Sequence, residues 1–148
     1  MNLEPYLFFE GRCDEALEFY RRNLGAEIEG LMRYKDAPGG EPCPGATPES
    51  VMHARLRIGE AHLMASDGNN NGNPSFKGFS LTLAAKDDAE ARRRFDALAQ
   101  GGQVVQPIIA TFFASSFGVV VDKFGVSWMV TALLPQPAGQ PKEAAATA

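Results

Sequence analysis

An order of elements that occurs twice constrains this chain more than any single motif. Residues 3–9, "LEPYLFF", are rich in aromatic and aliphatic side chains and predict a strand. "DEALEFYRRNLG" changes period. Ala16, Leu17, Tyr20 and Leu24 fall at helical spacing and make one face apolar. Gly25 supplies the stop, because glycine accepts the left-handed conformation just past a helix end. "AEIEGLMRY" predicts a further strand, and "VMHARLRIGEAHLMASD" two short strands around a turn near Gly59 and Glu60. The order then returns. "GFSLTLAA" predicts a strand, and "KDDAEARRRFDALAQGG" a helix with Ala91, Phe95, Leu98 and Ala99 on one face. Asp87, with Glu90 three residues later, has the spacing of a capping box, and Gly101 and Gly102 end the helix. "QVVQPI", "FGVVVD" and "VSWMVTA" complete the strands. A βαβββ order repeated at a period of roughly 75 residues is too long for a solenoid and implies a duplicated module.

The expected organisation is therefore one α+β domain over residues 1–134, with module one at about 1–67 and module two at about 78–134. Three segments fit neither helix nor strand. Residues 35–50 carry Pro38, Pro42, Pro44 and Pro48 with three glycines, a length expected of a lid or a disordered loop. "DGNNNGNPSFKG", 67–78, reads as a linker between the modules. Residues 135–148, "PQPAGQPKEAAATA", read as a disordered tail.

Charge and cysteine content narrow the function classes. The net charge is −4 with no evident basic face, which argues against nucleic acid as a partner. No apolar run reaches the roughly 18 residues of a membrane span. "MNLEPYLFFEGR" lacks a basic segment followed by an apolar one, so no secretory signal is expected. Cys13 and Cys43 sit in no CxxC pattern and lack the neighbours of a zinc site. Two free thiols in a reducing cytoplasm is the simplest reading.

Taken in order, the two βαβββ modules with "YLFF", "EALEFY", Leu24–Gly25, "HARLRIG", "LMASD" and "DKFGVSWMV" resemble the vicinal oxygen chelate superfamily, in its PhnB-like branch of the glyoxalase/bleomycin-resistance fold. The resemblance covers about residues 3–132. It implies two cupped mixed sheets with helices outside, a ligand cavity inside, and a homodimer. PhnB-like proteins often carry the description demethylubiquinone methyltransferase; this chain has no glycine-rich strand-to-helix turn of the kind that holds adenosyl cofactors. Metal-dependent members use four His or Glu ligands on four strands. Carried across, these positions fall near Pro5 (with Glu4 one residue away), on His53, on Gly78 or Phe79, and on Met129. One ligand of four survives, where a catalytic zinc normally needs three, and a thioether suits such a site poorly. No bound metal or other cofactor is expected.

His53 is the candidate catalytic residue. Alternation places Val51, His53, Arg55 and Arg57 on one face of their strand and Met52, Ala54, Leu56 and Ile58 on the other, which should pack under a helix. A histidine beside arginines could act as a general base or bind an anion, with Arg55 offering its planar fork. Alternatively His53 is a polar residue in a wet cavity, and both arginines are solvated or paired. His62, Met64 and Ser66 share a face of the next strand; His62 could join His53 in a two-histidine site if the register allows. Ser80, Thr82, Met129 and Phe113 are further candidate ligand contacts. Phe113 and Ala110 stand where relatives often carry Trp and Asp, which leaves an apolar wall. Trp128, flanked on its face by Val126 and Val130, reads as core, as do Tyr6 and Tyr20 with their hydroxyls reaching the surface. Arg92, Arg93 and Arg94 read as a solvated helix face. The expected function is binding or conversion of a small organic molecule, an amphipathic anion being favoured. The alternatives are a metal-dependent lyase, isomerase or dioxygenase of the same superfamily, and a drug-sequestering protein of the bleomycin-resistance type.

Overall fold

A computed structural model describes residues 1–39 and 45–135. Cys43 and the tail beyond Pro135 lie outside the described residues. The chain divides into two compact units that meet in sequence between Ser75 and Phe76. The first contains β1 (Tyr6–Phe8), α1 (Cys13–Leu24), β2 (Glu27–Arg33), a 3-10 turn (Tyr34–Asp36), β3 (Val51–Ile58) and β4 (Ala61–Ser66). The second contains β5 (Leu81–Ala84), α2 (Asp88–Ala99), β6 (Gln103–Ile109), β7 (Ala114–Val121) and β8 (Ser127–Leu133). Each forms a four-stranded mixed sheet, in the orders β1-β4-β3-β2 and β5-β8-β7-β6. The first strand of each unit pairs parallel with the last, and the other pairings are antiparallel. The βαβββ repeat is thus the architecture.

In the first unit α1 packs on β2 and β3. Cys13, Ala16, Leu17, Phe19, Tyr20 and Leu24 are its buried residues, and they meet Leu7, Ala54, Leu56, Leu63 and Ala65 from the strands. Gly25 ends the helix in the left-handed conformation, φ 66°, as its position predicts. The N-terminus is less ordinary. Arg12 stands at the N-cap and supplies no side-chain cap. The carboxylate of Asp67 replaces it, with Oδ1 accepting from Cys13 N at 2.8 Å and Oδ2 from Val51 N at 2.7 Å. One buried side chain thereby ties α1 to the start of β3. Burial, reinforced by Asp67 and Asp14, pushes the Cys13 thiol well above its ordinary range.

In the second unit Ala91, Phe95 and Leu98 are the buried face of α2, against Val120, Val130 and Trp128. Half of the capping box forms: Asp87 accepts from Glu90 N at 2.8 Å, while Glu90 Oε1 reaches one residue further back and accepts from Lys86 N. The DKFG turn is built around Asp122, buried, whose Oδ1 accepts from Phe124 N and Val126 N and whose Oδ2 accepts from Trp128 Nε1 at 2.9 Å. Trp128 is core, 3 % exposed.

Three sequence expectations change. Val51 is fully buried with Ala54 and Leu56, and Met52 is not. The pairing steps from Met32↔His53 to Arg33↔Val51, so Met52 is the extra residue of a β-bulge and shifts the alternation by one. Tyr6 is not core: it is 37 % exposed, on the sheet face opposite α1. The asparagine-rich stretch is not free linker as far as Ser75. Gly72 N donates to Glu10 O, Asn69 N to Glu10 Oε2, Asn70 Nδ2 to Gly45 O and Asn70 N to Asp67 O. These bonds fold it onto the first unit.

Candidate functional site

The sheet face opposite the helix, the open face, carries the candidate residues in each unit. On the first sheet, register sets Tyr6 beside Met64 and Met64 beside Arg55, while His62 lies beside Arg57 and Arg57 beside Glu27. His53 completes the face, with its Nδ1 3.1 Å from the Tyr6 hydroxyl and the two ring centroids 5.6 Å apart. His53, Arg55, His62 and Met64 are therefore on one face, but the two histidines do not meet. Ala54 pairs with Ala65 and Arg57 with His62, so about four strand residues, roughly 13 Å, separate them.

The expectation of a basic wall does not survive the pairing. Arg55 Nη1 lies 2.7 Å from Glu4 Oε1 and donates to Oε2 at 3.0 Å, and its Nε lies 3.7 Å from Glu29. Arg57 pairs with Glu27 and approaches Glu29 at 3.5 Å. His62 Nε2 lies 3.0 Å from the same Glu29. Glu29 occupies the register shift between Ile28 and Gly30, a bulge that lets one carboxylate reach three partners. Three carboxylates thus face two arginines and a histidine, so the cluster has no positive surplus. The Arg55 hydrogen bond holds the Glu4 carboxyl below its ordinary range, and the bond to Glu27 pushes Arg57 up.

At the other end of this face is a cavity of about 540 Å³. Tyr6, Phe8, Tyr34 and Met52 form its apolar wall, and Glu10, Ser66, Asn69, Asn71, Asn73 and Ser75 its polar one, all from the first unit. Met52 reaches it because of the β3 bulge. The Tyr6 and Phe8 rings lie 5.0 Å apart along β1. Sequence reading missed the asparagine side of this cavity because asparagine and glycine together signal a loop whatever the loop encloses. It missed Glu10 and Phe8 because a strand end gives no sign of what folds over it.

On the second sheet the corresponding face carries Thr82 beside Met129 and Met129 beside Val119, with Phe117 beside Thr131. Ser80 and Ser127 share a hydroxyl hydrogen bond of 2.6 Å. Phe113 stacks edge-on with Phe117 at 5.6 Å and with Phe112 at 5.2 Å.

The metal positions implied by the resemblance do not fit an ion. Glu4 is engaged by Arg55, the His53 Nδ1 by Tyr6, and Gly78, Phe79 and Met129 offer no hard donor side chain. Among the described residues no group of three or more His, Cys, Asp and Glu converges to hold a metal. A methyl-donor cofactor also lacks a cradle in the β1–α1 turn. A Cβ on its one glycine, Gly11, would stand 2.4 Å from Asn70 Oδ1, so that space is filled by the protein itself.

Two mixed βαβββ sheets, each with one covering helix, define the class: the glyoxalase/bleomycin-resistance fold. A glyoxylase/bleomycin resistance protein/dioxygenase domain from Frankia shares it, with a TM-score of 0.62 at 11% identity over 90% of this chain and 95% of that one. The family is narrower. The sequence profile described as 3-demethylubiquinone-9 3-methyltransferase matches residues 1–131, and the chain belongs to that PhnB-like family. Protein YjdN of Escherichia coli is 38% identical over 145 residues, 93% of this chain and 99% of its own length. Among solved structures, PA1353 from Pseudomonas aeruginosa is 42% identical with a TM-score of 0.78, covering 89% of this chain and 97% of its own. The PhnB protein from Bacillus cereus is 30% identical with a TM-score of 0.73, covering 89% and 99%. No described helix is long and apolar enough to cross a membrane.

Proposed function

We propose that this chain binds a small organic molecule in the cavity at Tyr6, and that Tyr6 and His53 together handle a proton there. The observation that carries the reading is the cavity itself. Its volume falls within the ~300–1,000 Å³ typical of ligand sites, and it joins an apolar wall to a few convergent polar groups. Tyr6 belongs to that wall and is hydrogen-bonded to His53 behind it. When His53 Nδ1 accepts, the phenol oxygen offers lone pairs to the cavity. When Nδ1–H donates, the phenol O–H is free to point at the ligand. Such a pair suits general acid–base work on a bound substrate. Arg55 and His62 belong in this reading to the charge cluster that frames the face, and Met64 to the sheet face beside Tyr6, outside the cavity lining. On the second sheet Ser80, Thr82, Phe113 and Met129 remain candidate contacts for a ligand of that unit.

Ligand-observed NMR against a fragment collection tests this. Met52→Trp should fill the cavity from the bulge and abolish binding of fragments that the wild type holds, with little change in melting temperature. Fragments that bind both forms alike would remove the cavity from the argument. Tyr6→Phe then separates enzyme from binder: turnover falls while affinity largely persists if the pair moves a proton, and neither changes if the protein only sequesters its ligand.

A homodimer in a reducing cytoplasm is the proposed setting. Edge strand β2 exposes Ile28, Leu31 and Met32, and edge strand β6 exposes Val104, Val105 and Ile109, apolar surface that a second copy would cover. Light scattering at micromolar concentration should give twice the chain mass; the single-chain mass would reject it.

A further inference from the structure

We infer that the cavity of the first unit selects a cation, and that its ligand is an amine or quaternary ammonium carried on an apolar body. This rests on the cavity being a binding site and adds the charge of what binds. The sequence pointed the other way, toward an anion, because two arginines alternate with His53. Both arginines are held by Glu4, Glu27 and Glu29, away from the cavity wall. Among the described residues the wall contains no lysine or arginine, and its one charged side chain is Glu10.

The rest of the wall has the chemistry that cations prefer. Tyr6 and Phe8 present rings whose centroids are 5.0 Å apart, so a single ammonium can stand within the roughly 6 Å reach of both. Tyr34 supplies a third ring. Glu10 is fixed before any ligand arrives. Its carbonyl accepts from Gly72 N at 2.6 Å, and its Oε2 accepts from Asn69 N at 3.0 Å. That bond uses one of about four lone-pair sites on a carboxylate and leaves acceptor capacity for a ligand. Glu10 also holds φ at 52°, a conformation that costs a non-glycine residue energy and that the surrounding loop must enforce. Residue 68 is glycine at φ 57°, and it leaves the carboxylate its place: a Cβ there would stand 1.9 Å from Glu10 Oε2 and displace it. A preset carboxylate, aromatic faces and amide side chains make a site in which an ammonium loses little on leaving water, whereas a carboxylate or phosphate would meet Glu10 and no compensating cation.

The test uses three probes of similar shape on the full chain: benzyltrimethylammonium, neutral N-benzylacetamide, and phenylacetate. Affinity is read by calorimetry and location by NMR shifts of the Tyr6 and His53 rings. The cation should bind about tenfold more tightly than the neutral probe, and phenylacetate should not bind measurably. Glu10→Gln, which keeps the shape and an acceptor for Asn69 N, should reduce the cation to the level of the neutral probe and leave the neutral probe unchanged, at an unaltered melting temperature. Phenylacetate binding as tightly as the cation would overturn the proposal, and so would a cation preference that survives Glu10→Gln. Three probes that bind equally at Tyr6 refute charge selection but keep the cavity. Three that leave the Tyr6 and His53 rings unmoved refute both.

Discussion

The two sheets have the same strand order and the same parallel first-to-last pairing, yet their open faces have opposite characters. The row Tyr6, Met64, Arg55 on the first corresponds to Thr82, Met129, Val119 on the second. Methionine is kept in the middle of both rows. Around it the first face has gathered Glu4, Arg57, His62 and Glu29, and the second Phe117, Val121 and hydroxyls. The helix-facing sides have stayed alike, because a helix must be covered by closely packed apolar residues in either unit. The open face carries no such demand, so a duplicated scaffold is free to diverge there. The two helix starts diverge as well: α2 is capped by the adjacent Asp87, α1 by Asp67 from across the unit.

That last contrast gives the largest predicted effect. Asp67→Ala leaves two buried N–H groups, Cys13 and Val51, without acceptors, and should cost about 3 kcal/mol or more. Asp87→Ala removes an exposed cap and should cost about 1 kcal/mol. Urea unfolding followed by circular dichroism measures both, and equal losses would break the comparison. Next is a pair of equivalent positions under the helices. Ala54 accommodates its methyl beneath α1, but a Cβ at Gly118 would stand 2.7 Å from the Phe95 ring and 3.0 Å from Ile108. Gly118→Ala should therefore cost about 1–3 kcal/mol by overpacking, read in the same titration.

A smaller effect depends on pH. Glu4 is held below its ordinary value of 4.5 by Arg55, so its contribution is complete above that value and disappears as pH falls through the lowered one. Asp88 is held below 3.8 by the Ser115 and Ser116 hydroxyls, and its contribution disappears in the same direction at lower pH. Arg55→Leu should flatten the acid limb of stability against pH that begins below about 4.5. The Ser115→Ala, Ser116→Ala double variant should flatten only the part below about 3.8. Melting temperatures between pH 2 and 7 distinguish them; identical curves would show that neither carboxylate contributes. The smallest change is expected for Glu27→Gln, whose pairing with Arg57 is exposed and screened by solvent, so its melting temperature should stay nearest the wild type's.

The sequence was most informative where neighbours along the chain determine structure. The faces of α1 and α2, the Gly25 stop, the Asp87–Glu90 box and the alternation from His53 to Arg57 are all local patterns. The remainder depends on partners far apart in the chain. Nothing near Arg55 announces Glu4, and only the β1–β4–β3 pairing brings them together. The bulge at Met52 is equally silent, since one extra residue leaves no mark on composition, yet it sends Val51 to the core and Met52 to the cavity. The asparagine run was misread because its amides and backbone groups bond to Glu10 and Gly45, residues that a local reading cannot assign to it.

The burial of Cys13 turns the first unit into a recorder of its own breathing. A thiol attacks as thiolate, and this one is both enclosed and pushed up, so an alkylating reagent can capture it only during the intervals when α1 has come away from Asp67 and β3. In a Cys43→Ser background, the rate of capture would measure how often that opening occurs, much as amide exchange reports local unfolding. Asp67→Ala should accelerate it, while the indole of Trp128, in the other unit, keeps its emission.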